Sequence, residues 1–598
     1  MSERDEHEAL YGLAGLGRSL ERTLEEICPV AGRLPPAELT LPPKPEFGDV
    51  STPVALAVAR LASRNPREIA TELGERWCAG PGATVCTRFE VAGPGFLNLF
   101  LSDQWYRGAT RQMLALGGDH GRDVLAPARR QKINVEFVSV NPTGPLHVGH
   151  ARYASMGDAL CRIFSFAGHD VTREFYVNDF GSQLLKFGQS LAARYAQRLD
   201  IEMPVPDDGY LGEYVLEVAD RLIDEVGDRY LAAVTAAAPD AARLPAGVVD
   251  EIKMWGRDAI LARFRVTLER LRVPFDVWTS EASLYVGGAA HRGFAGEVGK
   301  ALLELDTEDE LFDADGAVWL RTTAYGDDKD RVLVRQTGAP TYFLSDIAYH
   351  RDKMDRGFDH LINIWGADHH GYVPRMKAMF SALPPHDPER LELIIGQLVN
   401  LLESGESRRM SKRRGDIVTV DDLSDAIGVD AVRFFMVGRS HDSTLDLDLD
   451  LAVEQSSKNP VYYVQYAHAR ICSVLRNLAD RQGDQGDPGD PGDPGDPQSA
   501  PGAVSFGDVG VGPFERNLAR ALARFPLVVL DAVERRGPQR LHGYLGELAS
   551  EFHVFYRNCR VLTDDPDVAA FRAGLCVATR TTLAKGLELL GVSAPESM

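Results

Sequence analysis

The chain has 598 residues, 44% hydrophobic and 25% charged, which is ordinary globular composition and enough for three or four domains. No window of about 18 unbroken apolar residues occurs, and the start Met-Ser-Glu-Arg-Asp-Glu lacks a signal or Arg-rich leader, so no membrane span and a cytoplasmic location are expected. Seven cysteines without a Cys-x-x-Cys pair argue against a zinc ribbon or disulfide framework, and a formal net charge of −22 argues against indiscriminate nucleic-acid binding.

Charge acts locally, however. Residues 503–598 carry 11 Asp and Glu against 11 Lys and Arg, and 405–414 form a basic spot, Gly-Glu-Ser-Arg-Arg-Met-Ser-Lys-Arg-Arg. A chain that is acidic overall can still bind a nucleic acid through such surfaces.

Residues 1 to about 125 read as a small α/β domain. Leu20, Leu24, Ile27 and Val30 predict an opening helix that ends before Gly32, and Ser51-Thr52-Pro53 opens a second that packs Ala55, Leu56, Ala59 and Leu61. Val-Ala-Gly-Pro-Gly-Phe-Leu-Asn at 91–98 is a tight turn feeding a strand.

A larger body follows, from about 126 to 450. Ile133, Val135 and Phe137 alternate on one face while Val138 and Val140 fill the other, as in a strand covered on both sides. Asn141, Pro142, Gly144 and Pro145 break it, and a helix begins near Gly149, with Met156, Leu160, Ile163 and Phe164 at helical spacing. Strand, turn and helix start aim N–H groups and a positive dipole end at an anion, and His147 and His150 sit there. Phe175 to Gly181 predicts a second parallel strand, and about 190–325 a mostly helical insertion between two halves of a nucleotide-binding sheet.

Tyr342 and Asp346 fall at i and i+4, so in a helix they share a face; a capping Asp beside a core Tyr is the plain alternative. Ile362, Ile364 and Trp365 form a strand ending in Gly366-Ala367-Asp368-His369-His370, where glycine admits a nucleoside and Asp can hold ribose hydroxyls; Asp-His-His also has the look of a metal cluster, but no further ligands accompany it. Arg409-Met410-Ser411-Lys412-Arg413, between Gly405 and Gly415, is a cationic loop suited to phosphates. From about 451 the chain is all helical, with helices expected at 513–535, 538–562 and 567–590. It is interrupted at about 482–505 by acidic Asp-Pro-Gly repeats that predict a disordered loop.

Taken together, His147-Val-Gly-His150 after Asn-Pro-Thr-Gly-Pro-Leu resembles the His-Ile-Gly-His signature of class I aminoacyl-tRNA synthetases, and Val-Glu-Phe-Val-Ser-Val-Asn-Pro-Thr before it is similar to the form in arginyl-tRNA synthetases. Seven further segments resemble that family in the same order: 47–51, 91–98, 341–349, 366–372, 409–413, 459–470 and 590–598. At 409–413 the chain departs from Lys-Met-Ser-Lys-Ser: Arg409 and Arg413 replace the first Lys and last Ser, while Lys412 matches.

The resemblance implies an α/β fold, with a class I Rossmann-like parallel-sheet catalytic domain. A small α/β N-terminal domain would contact the tRNA elbow, and an all-helical C-terminal bundle would bind the anticodon. It implies arginine–tRNA ligation through arginyl-adenylate, with ATP and Mg²⁺ as co-substrate, no protein-bound metal, and L-arginine and its tRNA as partners of a monomer. His147, His150, Arg409, Ser411 and Lys412 would be catalytic, and Gly149, Gly366, Asp368, His369, Met410 and Lys412 would hold ATP. Tyr342 and Asp346 would read the guanidinium, which is always charged and needs a carboxylate, while Glu136, Ser139 and Asn141 would hold the amino acid's polar backbone groups. Tyr463, Tyr466, Tyr556, Arg560 and Met598 would face the tRNA. The rival readings are a synthetase for another amino acid, a non-catalytic tRNA-binding paralogue, and a small-molecule nucleotidyltransferase, which would not need the helical C-terminal part.

Overall fold

The computed structural model describes residues 10–29, 34–42, 44–288, 290–408, 418–483 and 506–598. At the N-terminus, α1 (Leu13–Ile27), α2 (Val54–Ala62) and α3 (Pro66–Ala79) cover an antiparallel sheet of β1 (Val50–Thr52), β2 (Cys86–Ala92) and β3 (Phe96–Leu101), in the order β1-β3-β2. Ser51 and Thr52 belong to the strand, not to the helix, which begins after Pro53, and Leu61 points outward at 57% exposed. The Gly93-Pro94-Gly95 turn joins β2 to β3 as read from sequence. Gly48 (φ +98°) lies against the Leu99 carbonyl, where a Cβ would come within 2.8 Å, and Asp49 accepts from Leu101 N (2.7 Å) and the Tyr106 hydroxyl (2.6 Å). The Phe-Gly-Asp motif therefore locks this sheet to α4 (Asp103–Leu116), the helix leading into the next unit.

The larger body is built on five parallel strands in the order β11-β10-β4-β5-β6, comprising β4 (Lys132–Glu136), β5 (Asp170–Val177), β6 (Val277–Ser280), β10 (His360–Gly366) and β11 (Leu391–Gly396). Chain order reverses between β4 and β10, so a crevice opens at their carboxyl ends. The central strand stops at Glu136 and does not run to Val140, because Val138 and Ser139 turn to positive φ (+68° and +29°). Period-two apolar alternation continues into the turn, which is why the sequence reads as a longer strand. The helix α5 (Val148–Ala167) then buries Met156, Leu160, Ile163 and Phe164.

The insertion is less uniform than its composition suggests. It carries α6 (Ser182–Arg198), α7 (Tyr214–Val226), α8 (Leu231–Ala237) and α9 (Ala246–Arg270), but then returns to the sheet as β6. After α10 (Gly296–Thr307) come β7 (Leu311–Ala314), β8 (Ala317–Leu320) and β9 (Arg331–Val334), a separate antiparallel sheet, before α11 (Tyr342–Asp355). Each of these four strands has only four residues, so none offers a long enough alternation to be read from sequence.

Past α12 (Val373–Ala382) and β11, the strands β12 (Val399–Glu403), β13 (Glu406–Arg408) and β14 (Leu445–Asp448) form a third small sheet, with α13 (Val420–Ile427), α14 (Val429–Met436) and α15 (Leu449–Val453) around it. The C-terminal bundle is α16 (Pro460–Gly483), α17 (Pro513–Ala523), α18 (Phe525–Glu534), α19 (Gln539–Asn558) and α20 (Pro566–Leu589). The single helix expected at 513–535 is two, because the chain restarts at Phe525 with Pro526 in the first turn, where proline needs no N–H partner. The Asp-Pro-Gly loop beyond Gly483 lies outside the described residues.

Candidate active site

His147 is the N-cap of α5. Its Nδ1 accepts from Gly149 N (3.2 Å), and His150 Nδ1 accepts from His147 N (3.0 Å), closing a reciprocal capping box with the rings stacked 3.7 Å apart. The imidazoles therefore use helix-start N–H groups that the sequence would have left to an anion. With Nδ1 accepting, each neutral ring carries its proton on Nε2, where it is a donor. Gly149 lies against His147, where a Cβ would meet the ring at 3.1 Å. The same turn is tied to the far flank of the cationic loop: Val148 N donates to Val418 O (3.1 Å) and Val420 N to Leu146 O (2.9 Å). Arg409, Met410, Ser411, Lys412 and Arg413 lie outside the described residues.

Two residues on, Arg152 is buried and donates to four carbonyls, Gln397 (2.9 Å), Leu398 (3.1 Å), Ser440 (2.8 Å) and Ser443 (2.7 Å). It fixes α5 to the two segments that lead into β12 and β14 of the third sheet. Nearby, a Cβ at Gly366 would meet Asp368 Oδ1 (2.7 Å) and the Tyr153 hydroxyl (3.3 Å), and one at Gly396 the Tyr153 ring (2.4 Å), so a flat glycine floor closes the ends of β10 and β11. Asp368 and His369 stand exposed just past it, 3.6 Å apart. Among the described residues, no cluster of His, Cys, Asp and Glu is placed to hold a metal ion.

On the other side of the crevice lies an acidic pocket. Asp346 accepts from the Tyr372 hydroxyl (2.8 Å), and burial, with the neighbouring carboxylates Glu281 and Glu136, pushes its carboxyl up to about 7. Burial likewise raises Glu281 to about 7, with Asp179 adding to the effect, and Glu281 Oε1 is buried with no hydrogen-bond partner. Tyr285 and Ser345 are joined by a hydroxyl hydrogen bond of 2.7 Å beside them. Tyr342 opens α11 one turn before Asp346 and is 51% exposed, its hydroxyl passing close over Gly181, where a Cβ would meet it at 2.9 Å.

The remaining predicted ligands fall near β4. Ser139 Oγ accepts from Tyr176 N (3.1 Å) and Asn141 Nδ2 donates to Gln183 (2.5 Å). Glu136 is buried and paired with the equally buried Lys353 at 2.7 Å, so part of its charge is already balanced inside the protein. Sequence reading missed Glu281 and Tyr372. Glu281 directly follows β6, a four-residue strand too short for the sequence to show it joining the sheet. Asp179 holds that turn in place, accepting from Ser280 Oγ (2.8 Å) and Ala282 N (3.1 Å).

In the bundle, Tyr463 and Tyr466 both pack on His553 (5.0 and 6.0 Å), and Arg470 lies over Tyr466 and Tyr556 (5.8 and 4.7 Å), so these three tyrosines gather on one half-exposed face. Arg560 is exposed on the loop after α19. Met598 is exposed, but the tail leading to it is built into the protein: Leu590 O accepts from Arg433 (2.9 Å), Ser593 O from Gln465 (2.9 Å), and Pro595 O contacts His468 (2.8 Å).

A reversed parallel sheet, a histidine-capped helix at its switch point and a separate helical bundle define a class I tRNA synthetase, and residues 114–442 match the family model of the tRNA synthetases class I (R) catalytic domain. Residues 16–101 match the arginyl tRNA synthetase N terminal domain and 464–598 the DALR anticodon binding domain. The arginine–tRNA ligase of Bacillus licheniformis is 43% identical over 566 residues, covering 94% of this chain and 95% of its own. That of Geobacillus thermodenitrificans is 43% identical over 598 residues, covering 98% and 100%. The fold matches Thermus thermophilus arginyl-tRNA synthetase with a TM-score of 0.70 at 24% identity, over 98% of this chain and 100% of that one. The chain belongs to the arginyl-tRNA synthetase family.

Proposed function

We propose that the crevice between β4 and β10 is where this chain, an arginine–tRNA ligase, performs both halves of its reaction. In the first, the arginine carboxylate attacks the α-phosphorus of ATP; the bond to the bridging oxygen breaks, giving arginyl-adenylate and pyrophosphate. In the second, a hydroxyl of the tRNA's terminal ribose attacks the arginyl carbonyl carbon and AMP leaves. Neither half needs a covalent enzyme intermediate, so the protein's work is positioning and charge stabilisation.

The observation that carries the arginine assignment is the pair of buried carboxyls, Asp346 and Glu281, with Glu281 Oε1 lacking a partner. Such a pair holds protons until a cation enters; a guanidinium supplies a fixed, permanent charge with a fork of donors that match both acids. Tyr342 adds its hydroxyl at the mouth, and Ser139, Asn141 and Glu136 lie at the end of β4 toward the amino acid's polar groups. The Nε2 donors of His147 and His150, with Arg409, Ser411 and Lys412 of the cationic loop, meet the phosphates, where charge grows on pyrophosphate as it leaves. Gly366, Asp368 and His369 take the nucleoside, Gly149 and Met410 flank it, and Mg²⁺ enters as the counter-ion of ATP. Tyr463, Tyr466, Tyr556, Arg560 and Met598 face the tRNA, aromatic rings beside arginine being platforms for unpaired bases. Units at 1–125, 126–450 and 451–598 divide these tasks in a cytoplasmic monomer.

The test is pyrophosphate exchange into ATP with each amino acid in turn, with and without tRNA. Exchange with arginine alone, requiring its tRNA, is the expected result. Exchange with another amino acid would overturn the guanidinium pocket, and silence under all conditions would favour a non-catalytic tRNA-binding paralogue.

A further inference from the structure

The ligase reaction uses none of the seven cysteines, yet two of them touch. Cys78, in the last turn of α3, and Cys86, the first residue of β2, bring their sulfurs to 3.2 Å, Cys78 donating to Cys86. The turn between them is tightly wound: Gly80 N donates to Arg76 O (3.0 Å), Gly82 N to Trp77 O (2.7 Å) and Cys86 N to Gly82 O (2.9 Å). Gly82 also lies on the buried Trp77 ring, where a Cβ would come within 2.5 Å, so the turn cannot swing away from the helix. The other five cysteines are buried, and none of them has a sulfur partner among the described contacts, whereas Cys78 is half-exposed. A solute therefore reaches one sulfur of a pair whose second sulfur is already in contact.

We propose that Cys78 and Cys86 form a site of reversible oxidation by hydroperoxides, closing an intramolecular disulfide in the N-terminal domain. The hydrogen bond between the sulfurs eases loss of the pair's first proton and hinders loss of the second. The first proton lost is that of Cys86, the acceptor of the contact. The Cys78 proton then passes across the 3.2 Å contact to Cys86, and the more exposed Cys78, now the thiolate, attacks hydrogen peroxide: an S–O bond forms, the O–O bond breaks, and hydroxide leaves, taking up the proton first released to become water. Cys78 is then a sulfenic acid. The Cys86 sulfur attacks it, the S–S bond forms, the S–O bond breaks, and a second water carries off the Cys86 proton. Two thiols and one peroxide give one disulfide and two waters; each sulfur is oxidised by one electron and both peroxide oxygens are reduced. A bonded pair sits at about 2 Å, so the sulfurs have to close the gap that remains from 3.2 Å.

Trypsin makes the test clean, because Trp77 to Arg88 is released as one peptide containing both cysteines and no others. The full-length protein is treated with increasing hydrogen peroxide, alkylated under denaturing conditions, digested and weighed. The expected product is that peptide lighter by two hydrogens and carrying no alkyl group, while the five other cysteines stay alkylated; dithiothreitol before alkylation restores two alkyl groups. In Cys86→Ser the Cys78 sulfenic acid has no resolving thiol and is trapped by dimedone, which wild type gives little of. The proposal fails if the wild-type peptide still carries two alkyl groups at a dose that already yields methionine sulfoxide elsewhere in the digest. It fails equally if Cys78 passes to sulfinic acid without closing the disulfide, or if either sulfur pairs with another cysteine instead.

Discussion

Asp346 and Glu281 are neighbouring acids, each raised by burial, with Glu281 raising Asp346 further. A guanidinium in contact with both must displace their protons, so arginine binding is coupled to pH. Both carboxyls titrate near 7 in the empty site, so the KM for arginine should rise as pH falls below about 7 and level off above it. The stability of the arginine-free protein carries the opposite sign. A carboxyl raised in the fold from its ordinary value near 4 binds a proton more tightly folded than unfolded, so its contribution is full below about 4 and is lost as pH rises through 7. Thermal melts between pH 5 and 8 should show this loss, and saturating arginine should offset it. Asp346→Asn removes one charged partner of a buried contact, which costs about 3 kcal/mol, on the order of 100-fold in kcat/KM for arginine. Equilibrium binding of ATP should be unchanged in that variant. An Asp346→Asn enzyme with wild-type arginine dependence would refute the assignment.

At the scale of elements, α5 gathers several functions on one rod. Its N-cap is the histidine pair, its second turn holds Arg152, and further on Asp158 is fully buried against Arg433 at 2.5 Å. Arg152 donates to four carbonyls and has no carboxylate among these partners, so its work is geometric: it sets α5 relative to the segments leading into β12 and β14. Arg152→Met would leave the Gln397 and Ser443 carbonyls without this donor, at about 1–3 kcal/mol for each that water cannot reach, while Leu398 O and Ser440 O keep the backbone N–H of Leu445 and Ser443. Arg152→Lys should rescue little, because one ammonium cannot span four acceptors that a planar fork reaches. Urea denaturation of both variants measures this directly, and a lysine variant as stable as wild type would contradict the reading. None of the carbonyl partners was legible in the sequence, since Gln397 and Ser443 are far from Arg152 along the chain. What was legible is the local chemistry: the helix start, the glycine beside the histidine ring, the Gly-Pro-Gly hairpin. Val138 shows the limit, because its alternation says strand while its positive φ, imposed by the turn that presents Ser139, says otherwise. Leu61 shows the same limit on a helix, where apolar spacing does not reveal that one more leucine than the core can accept has been left outside.

At the scale of the whole molecule, the C-terminal tail is where the units meet. Ser593 N donates to Asp430 of α14 (3.0 Å), Gln465 of α16 donates to Ser593 O, and the Arg433 that holds Leu590 O also holds Asp158 of α5. A single path of hydrogen bonds thus runs from the bundle helix α16, through the tail and α14, to the helix that carries the histidine pair. Resemblance alone placed Met598 toward the tRNA; the packing adds that the eight residues before it are a clasp. Gly591 is the narrow point, with φ +69° and a position where a Cβ would lie 2.1 Å from the Arg433 guanidinium. Gly591→Val must therefore strain the backbone and displace Arg433, the fully buried partner of Asp158, leaving that carboxylate with Arg162 (2.7 Å) and Arg173 (3.5 Å). Breaking a buried ion pair costs up to about 3–5 kcal/mol, less where other cations still face the carboxylate. Calorimetry should show the bundle melting apart from the catalytic body in this variant, where wild type melts with the two coupled. Arginylation should fall through kcat more than through the KM for arginine, because the acidic pocket on α11 and β6 is untouched while the footing of α5 is lost. Were the two melting events and kcat to remain as in wild type, the tail would be mere packing and the path through Arg433 would carry no coupling.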